Sequence, residues 1–359
     1  KNMIDQVAKA KSYANKLRFA EELNGKEGDA SLYSGAFLHR DAMYRQGLAI
    51  SSAVLPSIEA VFCSVCESLH LPRQVVSAFV YSSPDIQADC ITDGPESCVI
   101  RLTSGLVNLL GIDDLKFVVG HEIGHYLLGH GSCSDIEQEN STEGHICQRA
   151  RELSADRIGY YACGGLEPSV KAIMKTVSGL NSQYLRFDVS EFLRQATMLS
   201  APSVGEHAKS SHPSMIIRAR ALSWLSMSGA GLDYPECVSP SDVDIVDKHV
   251  ARDLKRFVDG TAKEHKSDML KDLLMWKVAN LIYATGSFSQ KHQHEFGKMF
   301  GHDALRSMMN FFGSYGSDEL EQLIGQKGRA ISELLIAEFP LSAHSEISST
   351  NTKANSMIG

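Results

Sequence analysis

His121-Glu122-Ile123-Gly124-His125 is the part of this chain whose residue types and spacing could do chemistry. On a helix, residues four apart stand one turn above each other on the same face. Two imidazoles so placed can point at one metal ion, about 2 Å from each nitrogen. Glu122, beside the first histidine, can reach a water on that ion without ligating it. Zinc brings the pKa of such a water to about 7, and a neighbouring carboxylate can take its proton as it attacks a carbonyl. The flanks are apolar, LKFVV before and YLL after, so these polar residues would line a buried face. The bland alternative is a surface helix with two ordinary histidines and a glutamate.

An ion held for catalysis keeps three protein ligands and one open position, so a third donor is needed. One arrangement puts a glycine three residues after the second histidine and another histidine three later. Here those positions are Leu128 and Gly131, and His130 is one residue out of register. A second arrangement takes a glutamate from another helix, and Arg151-Glu152-Leu153-Ser154-Ala155-Asp156 offers one. Glu152 and Asp156 are four apart and share a helical face. Glu152 can then be the third ligand, while Asp156 accepts a hydrogen bond from the far nitrogen of a ligand histidine. The small pair Ser154-Ala155 would let this helix approach the first closely. Glu143, His145 and His130 are rival third ligands in or near a polar loop, where they would be held less rigidly.

These residues need elements to position them. Residues 1 to 72 read as helices, the last ending at Pro72. QVVSAFVYSS and SCVIRLTSG are the β-rich runs, and the segment between them, SSPDIQADCITDGPES, reads as turns. The Gly111-Ile112-Asp113-Asp114 break opens the helix that carries the histidines. Residues 131–148 are polar and aperiodic and read as a surface loop. ARELSADRIGYYACGG is helical up to Gly164-Gly165, and everything after Pro168 reads as helices between Gly, Pro and Ser breaks. A composition shift over 228–240 marks a boundary. The expected organisation is a helical segment 1–49, a core domain 50–228, a helical domain 241–340 and a disordered tail 341–359.

Composition narrows the function classes. The chain has 359 residues, 43% hydrophobic and 22% charged, which suits a folded globular protein rather than a disordered one. Its net charge of −8 disfavours binding to phosphate backbones or anionic lipid, so no nucleic-acid partner is expected. No stretch reaches the roughly 20 apolar residues of a membrane span. Eight cysteines are far fewer than a disulfide scaffold needs. The Cys63-x-x-Cys66 pair lies in an apolar helical pattern, without a second pair to complete a four-sulfur site. Reduced thiols point to a cytoplasm-like compartment, although the chain starts at Lys1 and an upstream signal or anchor could have been removed.

HEIGH followed by ELSAD resembles the M48 metallopeptidases, a group that includes the HtpX-type heat-shock proteases and the CAAX-prenyl proteases. The order VVSAFVYSS, VIRLTSGLVNLLGIDDLKFVVGHEIGHYLLGH, and then Ser211-His212-Pro213 with Arg218 downstream, follows that family across residues 50–226. The resemblance implies an α+β, predominantly helical fold with a zincin-like (gluzincin) core, a small sheet and a helical C-terminal region. It implies one zinc ion per chain on His121, His125 and Glu152, Glu122 as general base, and His212 as stabiliser of the oxyanion. The chain lacks the membrane helices of many relatives. Independently, Pro213 fits the first position of the helix PSMIIRARALSWL, which would put His212 at or near its N-cap. A simple cap is therefore the other reading of His212. Arg218 either pairs with an acid near the site or is a solvated surface charge.

The chemistry points to a zinc-dependent endopeptidase acting on peptides or unfolded proteins. The substrate backbone would lie along an edge strand, here expected to be Cys98–Thr103. The alternatives are a latent enzyme with a plugged site, or a non-enzymatic zinc-binding chaperone or partner-binding protein. An intact Glu122 weighs against the last, since a structural site needs no base and closes its fourth position.

Overall fold

β-branched and aromatic runs pair into a sheet, and the apolar helices close over it. The computed structural model describes residues 3–22, 34–92, 96–130, 140–198, 213–228, 238–286 and 288–358. Among these, β1 (Leu48–Ala49), β2 (Val76–Tyr81), β3 (Ala88–Thr92) and β4 (Cys98–Thr103) form one sheet in the order β1-β2-β4-β3. β2 and β4 run parallel, and the two outer pairings are antiparallel. Together with the surrounding helices this makes a mostly helical α+β protein with a small mixed sheet.

Two expectations about the sheet are corrected. Cys98–Thr103 is not an edge: it lies between β2 and β3, and all its residues but Arg101 are buried. Ile100 and Leu102 enter the main core on one face, while Val99 packs with Met43 and Phe79 on the other. A strand buried on both faces needs neighbours on both sides. The free edge near the histidine helix is β3, inside the segment expected to be turns. Its Asp89, Cys90 and Ile91 pair with Arg101, Ile100 and Val99, and Asp89 forms a two-pronged ion pair with Arg101 at 2.7 Å. Cross-strand partners outweigh the turn-forming residues around it.

The helices of the first compact unit are α1 (Met3–Asn15), α2 (Ser34–Gln46), α3 (Pro56–Ser68), α4 (Ser104–Leu109), α5 (Ile112–Leu128), α6 (Thr142–Cys163), α7 (Leu166–Ser178), α8 (Val189–Arg194), α9 (Met215–Met227) and α10 (Pro240–Leu254). This unit comprises Lys1–Asp135, Ile146–Pro202 and Ser210–Val258, so the first residues of α6 fall outside it. Residues 142–148, expected in a loop, are helical. Ser141 starts the helix by accepting the Gly144 N–H at 2.9 Å. The N-terminal segment is part of the main core through Val7, Ala10, Ala14, Leu17 and Phe19. Val243, Val246, Val250 and Leu254 of α10 join the same core, which is why the unit continues past the expected boundary at 228–240 to Val258.

The second unit comprises Ile136–His145, Ser203–Lys209 and Asp259–Gly359. Its helices are α11 (Gly260–Ala284), α12 (Gln290–Phe300), α13 (His302–Ser314), α14 (Ser317–Glu338) and α15 (Ala343–Ile358). They bury two apolar clusters, one around Val278, Ile282 and Phe296 and one around Leu273, Leu335 and Phe339. The stretch expected to be a disordered tail is α15, with Ala343 and Ala354 buried. Small residues let it pack against α11. Glu143 caps its start, accepting from Leu341 N at 2.7 Å, Ser342 N at 3.1 Å and the Ser342 hydroxyl at 2.5 Å. No helix among the described residues is long and apolar enough to cross a membrane.

Candidate metal centre

α5 is held at both ends. At its start, the Asp114 carboxylate accepts the Gly111 N–H at 3.1 Å and receives buried Lys175 at 2.5 Å. At its end, Gly129 adopts a left-handed backbone with φ of 73°, which terminates the helix without steric cost. Arg18 donates to the freed Leu128 carbonyl at 2.7 Å. The two histidines therefore sit on a helix that cannot readily slide or fray.

α6 reaches α5 through a crossing of small residues. A Cβ placed on Gly120 would lie 2.4 Å from the Ala162 Cβ and 3.0 Å from the Gly159 Cα. One placed on Gly124 would lie 3.0 Å from the Ile158 Cβ and 3.2 Å from the Ala155 Cα. Of the expected small pair, Ala155 serves the approach, whereas Ser154 is turned elsewhere.

This approach brings Glu152 to the two imidazoles. His121 Nε2 and His125 Nε2 are 3.0 Å apart, and Glu152 Oε2 and Oε1 lie 3.5 and 3.4 Å from them respectively. A tetrahedral ion with bonds of about 2.0–2.1 Å requires its donors to be roughly 3.3 Å apart. The two nitrogens are near that spacing and each has one carboxylate oxygen near it, so the three side chains can supply three donors of a tetrahedral site; no fourth such donor joins them among the described residues. Among the described residues, His121, His125 and Glu152 form the one group of three such side chains able to hold a metal ion.

The surrounding charges tune this group. His121 Nδ1 is 2.9 Å from Asp156 Oδ1. Burial would lower the His121 pKa, but Asp156 and Glu152 outweigh it and raise it to about 10. An entering ion must therefore displace a proton. Burial would raise the Asp156 carboxyl, yet Arg218 and His121 hold it below the usual range. Arg218 grips Asp156 with two bonds, at 2.7 Å from Nε and 2.5 Å from Nη2. Its Nη1 is 3.9 Å from Glu152 Oε2. Glu122 is buried, which lifts its pKa above that of an ordinary carboxyl against the pull of His121 and His125.

The rivals for the third ligand position fall elsewhere. Glu143 caps α15, as described above, and His145 lies on α6 in the second unit. Neither belongs to the group of three donors. His130 points away from the ligand group: its Nδ1 is 2.8 Å from His125 Nδ1, and its Nε2 is 3.0 Å from Glu22 Oε1. Sequence reading gave no sign of Glu22, 108 residues away along the chain. Arg218, left open between an acid partner and solvent, pairs with Asp156. His212 lies outside the described residues. The cap of α9 is Ser214, which accepts the Ile217 N–H at 3.4 Å, so the helix starts two residues later than Pro213 suggested.

Comparison with curated proteins finds no significant match, and neither does comparison with solved structures. Residues 53–143 match the family model Peptidase family M48. That stretch includes α3, the strands β2 to β4, and α5 with His121, Glu122 and His125, and it ends before Glu152. Over residues 53–143 the chain is thus similar to the M48 peptidase family, and two of the three side chains of the candidate metal group lie in that stretch.

Proposed function

We propose that the chain is a zinc-dependent endopeptidase of the gluzincin kind, hydrolysing peptide bonds in extended peptides or unfolded proteins. The observation that carries this reading is the group of two imidazole nitrogens 3.0 Å apart with a Glu152 oxygen 3.4–3.5 Å from each, and Glu122 next in sequence to His121. His121 and His125 would hold the ion by Nε2 and Glu152 by its carboxylate. When bound, zinc supplies Lewis acidity, polarising a carbonyl and acidifying water.

Glu122 is the proposed general base. Its carboxylate takes a proton from the attacking water and returns it to the amide nitrogen as the C–N bond breaks. Asp156, anchored by Arg218, keeps the His121 Nδ1–H engaged and so aims Nε2 at the ion. β3 offers its unpaired backbone edge to an extended substrate, which would add as a further strand. His212, shortly before the α9 cap, is the proposed donor to the developing oxyanion. Cys63, Cys66, Cys90, Cys98 and Cys163 are thiols, which fits the reducing, cytoplasm-like compartment proposed for the chain.

The test is metal analysis of the full chain alongside cleavage of a generic unfolded protein such as reduced casein. One zinc per chain is expected, with cleavage that a chelator abolishes and zinc restores. Zinc without cleavage under any condition would replace this reading with a latent or non-enzymatic zinc protein.

A further inference from the structure

We propose that the N-terminal segment completes the metal centre, with Glu22 acting through His130 to fix the tautomer and aim of His125. The inference rests on the metal-site reading above and adds two positioning residues to it. Glu22 and His130 contact no substrate in this scheme; they act through a ligand.

With both imidazoles neutral, each ring carries one hydrogen, and their contacts decide where it sits. His125 Nδ1 and His130 Nδ1 are 2.8 Å apart, so only one of them carries a hydrogen. If His130 were the donor there, His125 would carry its proton on Nε2, inside the donor group, and could not ligate. His130 Nε2 would then be bare against the Glu22 carboxylate, 3.0 Å away, with two acceptors facing each other. In the reverse arrangement every group is matched. His125 Nδ1–H donates to His130 Nδ1, His130 Nε2–H donates to Glu22 Oε1, and His125 Nε2 is left bare toward Glu152 and His121.

Glu22 is built to hold that role. Its side chain is 1% exposed, accepts the Ser154 hydroxyl at 2.5 Å and pairs with Arg18. Ser154 in turn accepts the Phe19 N–H at 2.9 Å. Ser154 lies on α6 between Glu152 and Asp156, so one helix supports both ligand histidines, one directly and the other through Glu22. Glu22 lies outside residues 53–143, so this support comes from a part of the chain that the family match does not cover.

The experiment measures zinc affinity of the folded full chain by chelator competition, with the absorption spectrum of the cobalt-substituted protein as a second readout. Glu22→Ala and His130→Ala should each weaken zinc by about 10- to 100-fold, as losses of ligand-orienting partners do. Both should alter the cobalt bands. Glu22→Gln, which preserves shape, should lose less than Glu22→Ala. The double variant Glu22→Gln/His130→Ala should lose no more than His130→Ala alone, because both act on His125. Leu17→Ala, in the same buried segment but outside the relay, should lower the melting temperature without changing zinc affinity or the cobalt spectrum. If Glu22→Ala does not fold, His130→Ala decides, since it leaves the Arg18 and Ser154 contacts of Glu22 in place. Wild-type zinc affinity and cobalt bands in His130→Ala would overturn the inference. A wild-type chain that binds no zinc would instead overturn the metallopeptidase reading on which it rests.

Discussion

Glu143 and Glu152 lie on the same helix, are both buried and differ only in their partners. Glu143 is saturated by donors: two backbone N–H groups and a hydroxyl at the start of α15, with Lys266 3.6 Å away. Glu152 faces two imidazole nitrogens whose spacing matches a tetrahedral ion. A carboxylate satisfied by backbone and hydroxyl donors is a structural cap, whereas one set against two imidazole nitrogens within metal-ligand spacing is a candidate ligand. Burial marks both residues as important, but the hydrogen-bond inventory of the neighbours tells their tasks apart.

The largest effect expected concerns the residue that would make the Glu152 region catalytic. Glu122→Gln should lower turnover by roughly 10²–10⁴-fold, the usual worth of a general base, while one zinc per chain is retained. Cleavage at the wild-type rate by the metal-replete variant would remove Glu122 from that role.

The two glutamates themselves are tested next. Glu152→Ala should lose zinc from a chain that still folds. Glu143→Ala should keep its zinc but lose about 1–3 kcal/mol of stability, because it strands buried donors. Metal analysis and denaturant melts on the two variants read this directly. Full zinc occupancy in Glu152→Ala would dissolve the contrast.

Asp156→Asn should weaken zinc by about 10- to 100-fold through His121. It should also change the acid side of the metal-free stability curve. The folded Asp156 carboxyl titrates below its ordinary 3.8, so its contribution is complete above that pH and is lost as pH falls through the folded value. Acid unfolding of the variant should therefore depend less steeply on pH in that window. An unchanged acid limb would mean that Asp156 carries no charge-linked stabilisation.

The smallest effect separates a cap from a catalytic group on the α9 approach. Ser214→Ala should cost about 1 kcal/mol of stability, with turnover preserved. His212→Asn should instead leave stability near wild type and reduce turnover by about a hundredfold. Unchanged turnover in His212→Asn would withdraw the oxyanion role.

The candidate ligand pair and the proposed base were legible without coordinates because their logic is local. A five-residue motif on a helix has only one geometry, so spacing alone put His121 and His125 on one face, with Glu122 beside the first. Glu152 and Asp156 were legible for the same reason, as a helical pair of the right chemistry. The edge strand was misjudged because strandedness depends on cross-strand partners. β3 looked like turns until Arg101, Ile100 and Val99 were placed opposite it, and β4 looked like an edge until β3 covered it. The tail was misjudged because α15 owes its order to packing against α11 and to a cap from Glu143, not to strong apolar periodicity.

Sequence by itself thus singled out the candidate donors, their pairing by helical register and the chemistry they could support. Tertiary structure alone brought Glu22 and His130 behind His125 and decided that Arg218 pairs with Asp156. Glu22, His130 and Arg218 reach the centre across separations of 108 and 62 residues, set by a helix crossing at Gly120, Gly124 and Gly159 and by a folded-back N-terminal segment. Pairing in a buried site is enforced by the cost of leaving a polar group unsatisfied, and that cost arises only once the chain has closed around the group.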